Sequence, residues 1–182
     1  MNDDLQVIQR VLAGDVDSFR ILVKRHEGPL CCMIKNLIHN TVDSEDIAQE
    51  TFLAAFANLS YYDSRQAAFS TWLFTIARNK CFNAQKKKKK TMEANLPPRS
   101  EHRNPEHEMA ETELFGHLDA ALADLPFEQK VAFVLSEIQE RSYQEIAQIE
   151  GIKLGTVKSR VSRAKEQIRS ILQKQWSIRH AK

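Results

Sequence analysis

Glycine and proline are scarce in this chain, five of each among 182 residues. That scarcity excludes a collagen-like or low-complexity protein and leaves the composition of a globular one, 42% hydrophobic and 27% charged. The three cysteines, two of them adjacent (Cys31 and Cys32), form neither a disulfide framework nor a zinc-ligand spacing. Cys31, Cys32 and Cys81 read as small apolar core residues, and no neighbouring feature points to redox sensing. No glycine-rich phosphate cradle is present, so nucleotide hydrolysis is not expected. No apolar stretch approaches the roughly 18 residues of a membrane span. Runs such as Val131 to Leu135 fit inside a core helix. The opening Met1-Asn2-Asp3-Asp4 is acidic and lacks a signal core, so a cytoplasmic protein without membrane insertion is expected.

What is present is charge, unevenly placed. The net charge is only +2, but Lys153 to Lys182 holds nine basic residues and one acid, Glu166. Arg78 to Lys90 holds seven basic residues and no acid, whereas Asp43 to Glu50 holds four acids and no base. Two basic zones suggest contacts with a polyanion, and the acidic zone between them suggests a different partner.

Apolar positions recur at helical spacing almost throughout, and nothing alternates as a strand would. The expected fold is all-α, in two small domains over 1–90 and 111–182 joined by a flexible linker at 91–110. A first helix is expected from about Leu5 to Ala13, ending at Gly14. A second starts near Asp17-Ser18, carries Phe19, Leu22, Val23 and Leu30 on one side, and is expected to kink at Gly28-Pro29. A third follows Thr41 or Asp43 with acids in its first turn, where the helix dipole favours them. Ser60 to Ala67 reads as a loop, and a fourth helix runs from about Phe69 into the lysine run. Lys86 to Ala110, with five lysines, Pro97-Pro98 and Asn104-Pro105, reads as extended linker. Helical pattern resumes near Glu111 with Leu114, Leu118, Leu122 and Leu125. Pro126 then opens a helix bearing Val131, Val134, Leu135 and Ile138.

The last two helices are the best marked. Ser142-Tyr143-Gln144-Glu145 is a capping box opening a short helix with Ile146 and Ala147. Glu150-Gly151-Ile152 makes a turn, and a longer helix begins near Gly155-Thr156. Its core face is Val157, Val161, Ala164, Ile168 and Leu172. Lys158, Ser159, Arg160, Ser162, Arg163, Lys165 and Arg169 occupy its other faces. A charged helix face is usually only solvated. A short capped helix, a glycine turn and a basic amphipathic helix together make a helix-turn-helix, whose second helix enters the major groove.

The stretch "SYQEIAQIEGIKLGTVKSRVSRAKEQI" resembles region 4 of the extracytoplasmic-function sigma factors, and the resemblance begins earlier, at "LADLPFEQKVAFVL". In the first half, "GDVDSFRILVKRH", "DSEDIAQETFLAAF" and "FSTWLFTIARN" resemble, in order, the opening of region 2, its core-polymerase-binding helix and its minus-ten-reading helix. The resemblance covers nearly the whole chain except the linker. It implies that Thr156, Lys158, Ser159, Arg160, Ser162, Arg163 and Lys165 face the minus-thirty-five element. It implies that Asp46, Gln49, Glu50 and Leu53, which share one side of their helix, bind core RNA polymerase. Tyr62 and Asp63 would clasp a flipped minus-ten base, with Phe74, Ile76, Asn79 and Asn83 on the helix side and Arg78 and Lys80 on phosphates. An aromatic-rich, basic stretch suits unstacked DNA, although Phe69 and Trp72 read as core.

Two departures stand out. Glu140-Arg141 occupies the place where the family often has a glycine, and "KCFNAQKKKKK" follows Asn79 where the family usually has an acid and arginines. The lysine run is either a solvated helix end or a nonspecific DNA clamp. The resulting expectation is a sigma factor, not an enzyme, without cofactor or metal. Its partners would be core polymerase, promoter DNA and an anti-sigma factor. The rivals are a free-standing helix-turn-helix regulator, which leaves "DSEDIAQETF" unexplained, and a metal-dependent hydrolase built on Asp43, Asp46 and Glu50.

Overall fold

The computed structural model describes residues 3–38, 41–94 and 118–180, and among these there is no strand. The first unit consists of α1 (Asp3–Leu12), α2 (Phe19–Ile38), α3 (Thr41–Ala57) and α4 (Phe69–Ala94), with 3-10 turns at Val16–Ser18 and Leu59–Tyr61. The second unit has a short helical segment at 118–123, here α5, then α6 (Phe127–Phe133), a π-helical turn at Val134–Ile138, α7 (Tyr143–Glu150) and α8 (Leu154–His180). The part of the second unit expected over 111–117, and the linker over 95–110, lie outside the described residues.

The apolar periodicity explains the first unit. Leu22, Leu30, Met33 and Ile34 of α2 are fully buried, as are Ala55 of α3 and Phe69, Leu73, Phe74, Ala77 and Cys81 of α4. Each large side chain removed from water contributes about 1.5–3 kcal/mol, enough to carry α2 through Pro29, whose missing N–H and ring cost about 3 kcal/mol in a helix interior. The helix continues past Gly28-Pro29, where a kink is expected, through Met33 and Leu37 to Ile38. The first turn of α1 is tied down by charge. Asp4 Oδ2 lies 3.0 Å from His26 Nε2, and its other oxygen accepts from Arg25.

One expectation changes at the lysine run. Helix α4 continues through Lys86–Lys90 to Ala94, so the extended linker does not begin at Lys86, and 91–94 are helical too. Lysine is a good helix former. Successive side chains on a helix point about 100° apart, so the five charges diverge around the axis rather than stack.

The second unit buries Val131, Ala132, Val134, Leu135, Ile146, Val157 and Val161 in a core continuous with that of the first unit. Ala121, Leu122, Leu125, Ala164 and Ile168 form a smaller cluster behind it. The two units are not merely tethered but packed together. Phe82 of α4 meets Phe127 of α6 with ring centroids 5.5 Å apart. The Arg141 guanidinium sits 4.7 Å above the Phe74 ring and donates to Ser70 Oγ at 3.3 Å.

Candidate nucleic-acid interface

The helix-turn-helix is built by local rules. Ser142 Oγ accepts from the Glu145 N–H at 3.2 Å, and Glu145 Oε2 accepts from the Ser142 N–H at 2.9 Å, which completes the capping box. Burial raises the pKa of the Glu145 carboxyl, but its bonds to Ser142 and Arg141 more than offset that, so it lies below the ordinary value. Gly151 ends α7 in the left-handed region at φ 64°, where a Cβ would be strained. The chain then turns into α8, whose Val157, Val161, Ala164 and Ile168 face the core.

On the opposite side of α8, Lys158, Ser159, Ser162 and Arg163 are exposed and Thr156 is half-buried. Ser159 Oγ donates to the Thr156 carbonyl at 2.9 Å, keeping a short side chain close to the helix, where a groove could approach. Arg160 departs from this set. It is held against Glu150 within the unit. Lys165 departs as well. Its ammonium pairs with Glu137 at 2.8 Å and lines a shallow groove with Phe133, Ile168 and Leu172, behind the exposed face. Burial raises the Glu137 carboxyl, yet its bonds to Lys165 and Ser136 bring it below the usual value.

On α4 the expected minus-ten residues divide. Asn79 and Asn83 are exposed and Ile76 is half-buried, along one flank. Asn79 Oδ1 accepts from Arg78 Nη1 at 3.2 Å. Lys80 donates to Glu50 Oε2 of α3 at 2.9 Å, so one expected phosphate contact is paired with one expected polymerase contact. Arg78 donates to Glu150 Oε1 at 2.8 Å. Phe74 is a correction: it is completely buried beneath Arg141, a core residue in this arrangement rather than a surface one.

The loop between α3 and α4 also differs in detail. Tyr62 packs its ring against Phe69 and Trp72, and its hydroxyl donates to the Ala67 carbonyl at 3.0 Å. The free aromatic face there belongs to Tyr61, 81% exposed, which nothing in the local sequence distinguishes from Tyr62. Asp63 accepts from the Arg65 N–H at 3.0 Å and from its Nε at 2.9 Å. The Arg65 side-chain bonds hold the Asp63 carboxyl well below the usual range, so it stays ionised and fixes the loop.

A third surface lies on α3. Asp46, Gln49 and Glu50 are exposed together, and Leu53, 68% exposed, and Phe56 continue the same side. Acids bordering exposed apolar side chains form a surface suited to a basic, partly apolar groove. Among the described residues no three His, Cys, Asp or Glu are placed to hold a metal ion. No described helix is long and apolar enough to cross a membrane.

These elements coincide with known families. Residues 22–91 match Sigma-70 region 2, and residues 116–168 match Sigma-70 region 4. The chain is 34% identical to the ECF RNA polymerase sigma factor SigE of Mycolicibacterium smegmatis over 86% of its own length and 62% of that protein's. It is 31% identical to the ECF RNA polymerase sigma factor SigW of Bacillus subtilis over 91% and 94% of the respective lengths. In three dimensions it resembles the sigma factor RpoE of Bartonella quintana, solved in complex with the anti-sigma factor NepR. There the TM-score is 0.68 and the identity 25%, with 85% of this chain and 96% of that one covered.

Proposed function

The chain belongs to the ECF RNA polymerase sigma factors, and from that premise we propose how its own surfaces divide the work of starting transcription at a promoter. The exposed side of α3, with Asp46, Gln49, Glu50 and Leu53, docks on core RNA polymerase. Asn79, Asn83 and Ile76 on α4, with Tyr61, Tyr62 and Asp63 in the preceding loop, take one base out of the minus-ten duplex. Arg78 and Lys80 hold its phosphates once their present partners release them. Thr156, Lys158, Ser159, Ser162 and Arg163 read the minus-thirty-five major groove, and Arg160 joins them once Glu150 releases it. Phe74 supports α4 from beneath, and Lys165 braces the second unit.

The observation that carries this reading is the segregation of faces. Acidic and apolar groups share one side of α3, and short polar and basic groups share the side of α8 opposite its buried stripe. Melting needs no hydrolysis, because capturing an extruded base offsets the few kcal/mol that its unstacking costs. The protein therefore directs polymerase without catalysing a reaction itself, and it works where polymerase works, in the cytoplasm. Control by an anti-sigma factor follows the arrangement of the Bartonella relative.

The test is run-off transcription by purified chain plus core polymerase on a library varied at both promoter elements. The reading requires initiation dependent on both elements. A chain that binds promoter DNA tightly alone and gives polymerase no selectivity would instead be the free-standing regulator.

A further inference from the structure

Glu150 is the last residue of α7, and its side chain is completely buried, with 0% exposure. Oε1 accepts from Nε of Arg78, on α4 of the first unit, and Oε2 accepts from Nη1 of Arg160, on α8. One carboxylate thus holds two cations, one from each proposed DNA-reading helix. The Arg78 guanidinium is further enclosed by the rings of Phe82 and Phe127, at 5.4 and 5.8 Å. With side chains only 18% and 24% exposed, neither arginine is presented to a phosphate.

We propose that Glu150 is a latch that closes the free chain, fastening the two units together and withholding one DNA-contacting arginine from each until promoter phosphates replace the carboxylate. The proposal rests on the assignment of Arg78 and Arg160 to promoter DNA. Its physical basis is an exchange of anions. A buried carboxylate is tolerated only while paired, and a buried ion pair adds little net stability over its separated, hydrated partners. The seam can therefore be opened by a ligand offering equivalent acceptors, and DNA offers them to both arginines.

The seam also shows incomplete satisfaction. Arg141 Nε is buried there with no hydrogen-bond partner, a cost that separation and hydration would remove. With Glu150 neutralised, two guanidinium groups converge without an anion between them, and repulsion opens the seam.

Small-angle X-ray scattering of the full free chain reads the latch directly. Glu150→Gln should give a larger radius of gyration than wild type at equal helix content by circular dichroism. Arg78→Gln should open the chain as well, and it leaves the Glu150–Arg160 pair inside the second unit intact, so the helix-turn-helix is not put at risk. Glu150→Gln should also bind promoter duplex without polymerase about tenfold more tightly, the factor gained if about a tenth of free wild-type molecules are open.

If both variants scatter as compactly as wild type, there is no latch. If Glu150→Gln opens but binds DNA no better, the carboxylate masks nothing, and the proposal falls. A wrong DNA assignment would show separately, as promoter-directed transcription unchanged by Arg160→Ala in the holoenzyme.

Discussion

Tyr62 stands edge-on to Phe69, ring centroids 5.7 Å apart and planes at 87°, and this contact leaves the adjacent Tyr61 as the aromatic face open to solvent. A base drawn from the duplex would stack on Tyr61, and such stacking is worth about 1–3 kcal/mol. Tyr61→Ala should lower open-complex formation in permanganate footprints by roughly tenfold, with thermal stability unchanged. Tyr62→Ala should instead lower the melting temperature. Tyr62→Phe, which loses only the bond to Ala67, should cost about 1 kcal/mol. A melting defect confined to the position 62 variants would leave Tyr61 without a role.

The double reversal Asp46→Lys with Glu50→Lys tests the α3 surface. Like charges across an interface cost several kcal/mol, so capture of core polymerase should fall below detection while helix content stays constant. The Glu50 change also releases Lys80 from its pair. Glu50→Gln alone therefore serves as a control, which should bind polymerase with only modest loss. Full binding by the double variant would move the docking surface elsewhere.

Arg163 and Lys165 are two residues apart and should behave differently. Arg163 is exposed on the side of α8 opposite its buried stripe, so Arg163→Ala should cost about 1–3 kcal/mol and relax one minus-thirty-five position if it reads a base, or weaken all promoters and flatten the salt slope if it holds a phosphate. Lys165 is paired with Glu137. Lys165→Ala should change stability only slightly, as partly exposed pairs do, with every promoter variant equally transcribed. Selectivity lost at position 165 rather than 163 would reverse the orientation given to α8.

Lys130 is 2% exposed, and burial pushes its pKa down from 10.5 to about 8, against an opposing effect of Asp124. At this site the folded chain therefore holds fewer protons than the unfolded chain between about pH 8 and 10.5, so the contribution of Lys130 to stability rises with pH across that window. The slope is at most about 1.4 kcal/mol per pH unit, and the cost is fully present below pH 8. Denaturant midpoints measured from pH 7 to 10 should show Lys130→Met, similar in volume, to be the more stable protein at pH 7, with its lead over wild type shrinking as pH rises. Parallel curves for the two proteins would refute this account.

Glu140 is the only described non-glycine residue with positive φ, 49°, immediately before the helix-turn-helix. A side chain there costs roughly 1–2 kcal/mol, and glycine would remove that strain while adding about 0.5–1 kcal/mol of unfolded-state freedom. Glu140→Gly should therefore stabilise the protein by about 0.5 kcal/mol in urea titrations, whereas Glu140→Val should destabilise it.

The fold is legible in the sequence where the physics is local. Helical periodicity located the helices, and Ser142 with Glu145 announced the start of α7. The alternation of Val157, Val161 and Ala164 with basic residues oriented α8. What is not legible depends on contacts distant in sequence. Nothing near Glu150 indicates that Arg78, 72 residues away, will complete its pairing. Phe74 has the periodicity of either a core or a surface position, and only the arrival of Arg141 settles it as core. Tyr61 and Tyr62 are equivalent by composition, and the packing of Phe69 and Trp72 chooses between them. The lysine run misled for a different reason: charge density suggested a linker, while backbone propensity favoured a helix.

The seam between the units also has a consequence in time. Helix α4 is complete at Ala94, but its cover, α7, begins only at Tyr143. At synthesis rates of about 5–20 residues per second, the first unit leaves the ribosome several seconds before the segment that will shield Arg78 and Phe74 exists. During every round of translation, the newborn protein therefore carries Phe74 and the Arg78 side of α4 uncovered until the later segment arrives to bury them.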